Sequence, residues 1–243
     1  MKDAVKQISK SREMFSELAW PDIIRGIDKK GYALVPRVMP LEHCDGFVKN
    51  YGNFNIRKTV VMERYRFGLG EYKYFDHPLP DLVQTVREEV YPHLAPIANA
   101  WAECLKMDVR FPVTFDGLQG LCREHGQTKP TPLILKYGKG GYNTLHQDLY
   151  GEVYFPMQVA FFLNGPDKDY TGGEFVLTEQ VPRAQSKAIV LKPQKGDMII
   201  FTTNFRPVKG TRGYYRAAMR HGVSEVLSGE RHTLGVIFHD AVS

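Results

Sequence analysis

The chain has 243 residues, of which 43% are hydrophobic and 24% charged, a balance typical of a soluble globular protein. Its length allows one large domain or two small ones, and we expect one core with additions at the N-terminal end. No stretch approaches the roughly 20 apolar residues of a membrane span, and charges run through the first twenty residues, which excludes a usual secretory signal. The sequence therefore predicts a cytoplasmic protein without a membrane partner. Three cysteines without CxxC spacing, Cys44, Cys104 and Cys122, predict reduced thiols rather than disulfides or structural zinc.

The formal net charge of +5 is unevenly distributed along the chain. Five basic residues and no acidic one lie between Arg206 and Arg220. This segment favours an anionic partner, although a basic run is often only a solvated loop.

Helical patterns dominate the first half of the chain, so residues 1–131 are predicted to be mainly helical and to pack on the remainder. Pro92 and Pro96 should kink or divide the longest helix. The predicted elements are a helix at Pro21–Lys29, a strand at Tyr32–Met39, and helices at Pro40–Tyr51, from Leu82 to the Trp101 region, and at Leu118–His125.

From Pro132 onward, short strand patterns are separated by glycine and proline turns. They are predicted at Leu133–Tyr137, Met157–Leu163, Glu174–Thr178, Ala188–Leu191, Met198–Thr202, His221–Leu227 and Thr233–Phe238. Many short strands without intervening helices indicate an antiparallel sandwich or barrel. The fold class is therefore α+β with a mainly β core at residues 132–243, covered by the earlier helices in one integrated domain.

The strongest chemical signal is the HxD pair in the stretch "LHQDLYG". If this segment is extended, His146 and Asp148 emerge on the same face of a strand and can share one ligand. His221 could supply a third ligand, and two histidines with one carboxylate form the facial triad of non-haem iron(II) oxygenases. His232 and His239 have the wrong spacing and are not expected to be ligands. An HxD pair alone is a weak signal, because short motifs discriminate poorly.

Arg231 adds a second element to this site. It stands ten residues after His221, and a turn at Ser228-Gly229 could build a hairpin that returns its guanidinium to the same cavity. A permanently charged, bidentate donor suits a bound carboxylate.

In these motifs the sequence resembles the iron(II)- and 2-oxoglutarate-dependent oxygenases, over about residues 132–240. The segments "TGGEFVLTE" and "LKPQKGDMIIF" are similar to mid-barrel strands of prolyl-hydroxylase-type members, and "KYGKGGYNTLHQD" is similar to the barrel entry of AlkB-type demethylases. The resemblance implies a double-stranded β-helix (jelly roll) that uses Fe(II), 2-oxoglutarate and O2. It implies that His146, Asp148 and His221 bind iron, that Arg231 pairs with the distal carboxylate of 2-oxoglutarate, and that Tyr137 hydrogen-bonds the same co-substrate. Tyr137 can also be interpreted as a core tyrosine.

The whole chain also resembles a narrower bacterial group of oxygenases that act on damaged nucleic acid by oxidative demethylation. The residues that carry this resemblance are "GEYKYFDHPLPDLV", "LHQDLYGEVYFPMQVA", "GGEFVLTEQ", "RPVKGTRG" and "RHTLGVIFHDA". The ten-residue step from His221 to Arg231, in contrast, is the prolyl-hydroxylase pattern. Three readings remain open: a nucleic-acid demethylase with a role in DNA repair, a hydroxylase of a protein side chain or a small amino-acid-like substrate, and a non-catalytic binding barrel.

Two basic segments are candidates for contact with single-stranded or damaged nucleic acid. Met62–Phe75 interleaves aromatic residues with Arg64 and Arg66, a composition that can stack a base and approach phosphate. It could equally be an amphipathic strand that caps the core. Arg206 and Arg216 belong to the later basic segment, which we expect to border the site because it immediately precedes His221.

Overall fold

The computed structural model describes residues 12–243, and two packed sheets with helices on one side account for most of them. The helices that matter for the site are α1 (Trp20–Lys30), α2 (Leu41–Lys49), α3 (Asp81–Cys104) and α4 (Phe115–Glu124), with a 3-10 helix at Met62–Tyr65. Within these described residues, no helix is both long enough and apolar enough to cross a membrane.

The strands are short and mostly antiparallel neighbours. They are β1 (Tyr32–Val35), β2 (Ile56–Val61), β3 (Gly68–Leu69), β4 (Glu71–Phe75), β5 (Leu133–Tyr137), β6 (Tyr142–His146), β7 (Met157–Phe162), β8 (Tyr170–Gly172), β9 (Phe175–Gln180), β10 (Lys187–Leu191), β11 (Met198–Thr202), β12 (Phe205–Gly210), β13 (Gly213–Val223), β14 (Val226–Gly229) and β15 (Arg231–Ile237).

Seven strands form the larger sheet in the order β1-β11-β7-β15-β5-β4-β2. The smaller sheet has the order β10-β9-β13-β6-β3, with β12 also paired to β13, and β14 pairs with β8. Strand β15 shows how the larger sheet divides the interior, because successive side chains alternate between its two faces. Leu234 and Val236 pack in the core shared with the helices, whereas Arg231 and Thr233 line a cavity between the sheets. The predicted mainly β fold of the double-stranded β-helix type, with helices packed against it, is confirmed.

The 24-residue helix α3 shows where the sequence prediction was partly wrong. Neither Pro92 nor Pro96 divides it, although each proline removes one backbone N–H donor. Both prolines are exposed and lie one turn apart, so the carbonyls that lose their partner lie on the solvent-facing side of the helix. Its buried face, with Val86, Val90 and Leu94, packs in the main core.

Two predicted strands differ from the structure by more than two residues at an end. The strand predicted at Tyr32–Met39 ends at Val35, because Pro36 follows and Arg37 adopts a positive φ of 52°. The strand predicted at His221–Leu227 is wrong. His221 lies near the end of the 11-residue β13, and β14 begins only at Val226.

The N-terminal region contributes strands to both sheets in addition to its helices. Strand β1 pairs with β11 at one end of the larger sheet, and β4 pairs with β5 near the other end. Strand β3 pairs with Tyr142 and Asn143 of β6, the strand that ends at His146. The segment Met62–Phe75 is therefore a 3-10 helix followed by two strands, and part of it borders the cavity.

Candidate metal and co-substrate site

The three predicted metal ligands lie together in the lining of the cavity. His146 ends β6 and is the direct cross-strand partner of His221 on β13. Asp148 lies in the loop just beyond β6 rather than on the strand itself. Its Oδ1 is 3.6 Å from His146 Nε2, and its Oδ2 is 3.4 Å from His221 Nε2. All three ligand atoms lie within 4.8 Å of one another, so the site offers two imidazoles and one carboxylate to one ion.

Close pairing of β6 with β13 and a fixed orientation of the His146 ring position the ligands of this triad. His146 Nδ1 lies 2.7 Å from the carbonyl oxygen of Thr144, an interaction that leaves Nε2 free for a metal. Beside His221, a Cβ added to Gly222 would lie 2.7 Å from the carbonyl oxygen of Asn143. Only glycine therefore allows β13 and β6 to approach this closely next to the ligand.

The electrostatics of the triad favour the protonation states that bind a cation. Burial alone would raise the pKa of Asp148, but the hydrogen bond from His221, the electrostatic influence of His221 and His146 and the hydrogen bond from Gln158 hold it well below its ordinary value. Burial and the neighbouring His146 lower the pKa of His221. An ionised carboxylate and a neutral imidazole are the forms that coordinate a metal ion.

Arg231 is the first residue of β15 and is 1% exposed. Its Nη1 donates to Thr233 Oγ1 at 2.7 Å, whereas Nε and Nη2 have no hydrogen-bond partner among the described residues. The rings of Tyr137, Phe162 and Tyr170 surround the guanidinium at 5.5, 5.5 and 6.0 Å. A buried cation without an anion is costly. The donors left free fit a carboxylate group, and contact with the distal carboxylate of 2-oxoglutarate stays a prediction.

The chain reaches Arg231 by a route that differs from the predicted hairpin. Between His221 and Arg231 it leaves the smaller sheet, forms β14 against β8 and enters the larger sheet as β15. The turn predicted at Ser228-Gly229 is wrong, since both residues belong to β14. His221 and Arg231 consequently face the same cavity from opposite sheets.

Tyr137 ends β5 directly opposite Arg231 in the strand register. It is fully buried and lines the cavity, and its hydroxyl accepts a hydrogen bond from Asn143 Nδ2 at 3.3 Å. Burial raises its pKa to about 12, so the phenol keeps its proton and can donate to a carboxylate. It also packs in a small cluster with Met62 and Val223, and contact with the co-substrate stays a prediction.

The cavity measures about 240 Å³. Its lining includes the triad, Arg231 and Tyr137. Two lining residues, Phe67 and Thr144, are also exposed, and with half-buried His146 they mark the mouth of the cavity.

The four arginines predicted to contact substrate occupy different surroundings. Arg64 and Arg66 are exposed in the segment that leads to Phe67. Arg206 instead forms a 2.7 Å ion pair with Glu179, and the Arg216 guanidinium lies 4.7 Å from the centre of the Phe205 ring. The basic segment is the hairpin β12–β13 rather than a loop, and neither Arg206 nor Arg216 lines the cavity. The expectation that this segment borders the site is wrong in that respect.

His232 and His239, which the sequence excluded as ligands, lie outside the cavity lining. His239 Nδ1 accepts the backbone N–H of Phe155 at 3.0 Å, and burial lowers its pKa to about 3. His232 interacts with Asn164 Oδ1 at 3.0 Å, and burial lowers its pKa to about 4.

We expect the metal-free protein to lose stability as the pH falls below about 6.5, because His239 is held neutral in the fold. An unfolded chain takes up a proton near the ordinary pKa of 6.5, whereas the folded chain resists protonation down to about 3. The stabilising contribution of the neutral imidazole is thus present above pH 6.5 and declines on acidification, by about 2 kcal/mol between pH 6.5 and 5. Denaturant unfolding at pH 7 and pH 5 measures it. His239→Gln should reduce this pH dependence, whereas the surface substitution His125→Gln should preserve it. Equal pH dependence in wild type and His239→Gln contradicts the assignment.

Residues 70–241 match an oxygenase family, Oxygenase-NA, described as catalysing oxidative methylation of damaged DNA. The chain belongs to this family. Two proteins from Mycobacterium tuberculosis strains, both named as uncharacterized proteins, are 46% identical to it over 167 residues, 69% of this chain and 72% of theirs. The predicted family resemblance is confirmed.

Solved structures with the same fold come from the wider oxygenase superfamily. An oxidoreductase of the 2OG-Fe(II) oxygenase family from Burkholderia pseudomallei has a TM-score of 0.53 at 14% identity, covering 93% of this chain and 95% of that one. A Pseudomonas putida prolyl-4-hydroxylase has a TM-score of 0.52 at 11% identity, covering 92% and 100%. At these identities the likeness concerns the fold. Together with the family match and the triad, it confirms the predicted class of 2-oxoglutarate- and Fe(II)-dependent oxygenase, which uses O2.

The sequence prediction named the aromatic residues of Met62–Phe75 only as a group, and the structure distinguishes Tyr65 and Phe67 as a stacked pair at the mouth. Two further functional candidates were missing from the prediction. Tyr150 and Gln158 each hydrogen-bond Asp148. Gln158 lies ten residues after Asp148 in sequence, and no local sequence pattern predicts its contact with Asp148.

Proposed function

We propose that this oxygenase oxidatively removes methyl groups from damaged or methylated single-stranded nucleic acid. The observation that carries the proposal is the aromatic pair, Tyr65 and Phe67, exposed at the mouth of the cavity beside two arginines. When bound, Fe(II) with 2-oxoglutarate supplies an oxidation in which O2 is consumed, 2-oxoglutarate is converted to succinate and CO2, and a substrate C–H bond becomes C–OH.

The aromatic pair is held at a fixed place relative to the triad. The ring centroids of Tyr65 and Phe67 are 5.5 Å apart and the planes differ by 20°. The carbonyl oxygen of Phe67 accepts from both the backbone N–H and the hydroxyl of Thr144, each at 2.9 Å. Thr144 is two residues before His146 on β6. A base that stacks on this pair is thereby held close to the metal ligands.

Exposure makes the pair available to a substrate, since Tyr65 is 54% and Phe67 44% exposed. Stacking of a base on an aromatic side chain contributes about 1–3 kcal/mol and tolerates any base sequence. Arg64 precedes Tyr65 and Arg66 lies between Tyr65 and Phe67 in the sequence, and both arginines are exposed, so they can approach the phosphates next to a stacked base. A single strand offers unstacked bases, which supports it over a duplex as substrate.

The chemistry of an oxygenase supports removal of a methyl group rather than its addition. Hydroxylation of an N-methyl group gives a hemiaminal, and this collapses to the free amine and formaldehyde. In this assignment His146, Asp148 and His221 hold the metal, and the free donors of Arg231 bind the distal carboxylate of 2-oxoglutarate. The opposing sheets enclose the reacting groups and limit access of water.

Methylated single-stranded oligonucleotides should yield formaldehyde and succinate in equal amounts, and the matched unmethylated strand should yield no formaldehyde. Phe67→Ala should lower kcat/KM for the methylated strand about 10-fold, because it removes one stacking surface. Tyr214→Ala is the matched control, since Tyr214 is 47% exposed on the basic hairpin but does not line the cavity. Its kcat/KM should stay at the wild-type value. Consumption of 2-oxoglutarate without formaldehyde from any methylated base, and without a difference between strands, would exclude demethylation.

A second candidate is hydroxylation of a protein side chain or a small amino-acid-like substrate. The spacing of ten residues between His221 and Arg231 favours it, as this is the pattern of the prolyl-hydroxylase type. Exposed apolar side chains on β3 and β6, Leu69, Tyr142 and Leu145, can also receive a peptide. A screen of peptides and free amino acids for a stable product 16 mass units heavier distinguishes this activity, because hydroxylation on carbon releases no formaldehyde.

A further inference from the structure

The carboxylate of Asp148 has a separate hydrogen-bond donor on each of its oxygen atoms. The hydroxyl of Tyr150 donates to Oδ1 at 3.0 Å, and Nε2 of Gln158 donates to Oδ2 at 2.9 Å. Gln158 is buried on β7 of the larger sheet, whereas Tyr150 is in the loop that follows β6. The two donors therefore approach Asp148 from different parts of the fold and restrain rotation of its carboxylate.

A second tyrosine supports the first. The hydroxyl of Tyr74 donates to the hydroxyl of Tyr150 at 3.2 Å. The Tyr150 oxygen therefore accepts one hydrogen bond while its own O–H donates a hydrogen bond to Asp148. Hydrogen bonds arranged in such a chain polarise and strengthen one another. Tyr74 is 6% exposed on β4, and the Arg57 guanidinium lies 4.4 Å from the centre of its ring.

The loop that carries Tyr150 is itself fixed to the core. The side-chain amide of buried Gln127 donates to the carbonyl oxygen of Tyr150 at 3.3 Å and to that of Val153 at 2.8 Å. Gly151 has a φ of +75°, and a Cβ there would lie 2.4 Å from the Gln127 side chain. This close packing sets the position of Tyr150 independently of the bond to Asp148.

We propose that Tyr150 is a positioning residue that orients the Asp148 carboxylate for the metal, with Tyr74 holding the Tyr150 hydroxyl in place. An oriented carboxylate already has Oδ1 beside Nε2 of His146 and Oδ2 beside Nε2 of His221, so little rotation is needed when the ion binds. Partners of this kind typically contribute 10–100-fold in metal affinity. The role concerns metal binding and does not depend on which substrate the enzyme oxidises.

The test is calorimetric titration of the metal-free protein with Mn(II), a redox-stable stand-in for Fe(II), in the absence of 2-oxoglutarate. Tyr150→Phe retains the ring and removes only the hydroxyl, so the dissociation constant for Mn(II) should rise about 10-fold or more. Tyr74→Phe should raise it by a smaller factor, because Tyr150 keeps its own bond to Asp148. The thermal midpoints of the metal-free variants establish that each is folded.

Tyr91→Phe is the matched control, because Tyr91 is fully buried and its hydroxyl donates to the carbonyl oxygen of Pro112 at 2.7 Å, away from the triad. It should bind Mn(II) as tightly as wild type, even if its thermal midpoint falls. The proposal is overturned if Tyr150→Phe binds Mn(II) within two-fold of wild type. It is equally overturned if Tyr91→Phe weakens binding as much as Tyr150→Phe, since the effect would then follow general loss of stability. A wild-type protein that does not bind Mn(II) overturns it together with the metal site.

Discussion

Asp148→Ala is expected to abolish succinate formation from 2-oxoglutarate, with a loss of at least about 100-fold. The site offers three protein ligands, and losing one should cost more than losing a hydrogen-bond partner of a ligand, which typically costs 10–100-fold. His221→Ala should have the same effect for the same reason. Both succinate formation and bound iron per chain should be measured, because the expected defect begins with the metal.

The fold should survive these substitutions. The Asp148 side chain borders the cavity and removing it leaves the apolar clusters of the core intact. Glu152→Ala is a suitable control, since Glu152 is an exposed acidic residue in the same loop and lies outside the site. It should retain wild-type iron content and turnover. Near wild-type succinate formation by Asp148→Ala would contradict the assignment of the triad as the metal centre.

The triad and Arg231 could be predicted from sequence because each depends on spacing. His146 and Asp148 are two residues apart, and His221 and Arg231 are ten apart; the resemblance to known oxygenases gave these intervals their meaning. The course of the chain between His221 and Arg231 could not be predicted from spacing. A turn signal at Ser228-Gly229 suggests a hairpin, yet the two residues pair with β8 in a strand of their own, because long-range pairing decides the course of the chain.

The length of β13 was missed for a related reason. In its second half, buried Ala217, Met219 and His221 alternate with exposed Arg216 and Arg220, a period-two pattern typical of a half-buried strand. The positive charges made the same residues resemble a solvated loop. Pairing with β12 and β9 on its two sides resolves the ambiguity, and it does so through partners that are remote in sequence.

Contacts of the triad illustrate what sequence patterns cannot supply. Gln158 reaches Asp148 from strand β7 of the larger sheet, and Tyr150 reaches it from the loop after β6. Arg206 forms an ion pair with Glu179 on strand β9 of the smaller sheet. Composition alone grouped Arg206 with Arg216 as substrate contacts. Arg64 and Arg66, the other two predicted contacts, remain candidates, because the neighbouring Phe67 lines the cavity.

Exchanging Arg231 for lysine is expected to raise the apparent KM for 2-oxoglutarate about 10-fold while kcat falls by less. Lysine retains the positive charge but loses the planar fork that binds a carboxylate through two parallel hydrogen bonds. In the wild type, Nη1 is already bound to Thr233, and Nε and Nη2 are the donors left for the ligand. A loss that appears mainly in KM is the mark of a contact made to the bound co-substrate before and during the reaction.

Arg206→Lys provides the matched control for this measurement. Arg206 is also largely buried, with 11% of its side chain exposed, and it is paired with Glu179 outside the cavity. Its substitution should leave the KM for 2-oxoglutarate unchanged. Initial rates of succinate formation across a range of 2-oxoglutarate concentrations, with the second substrate saturating, give both constants. If Arg231→Lys has the wild-type KM, the distal carboxylate must be bound elsewhere, and the buried guanidinium would then serve the packing of Tyr137, Phe162 and Tyr170 around it.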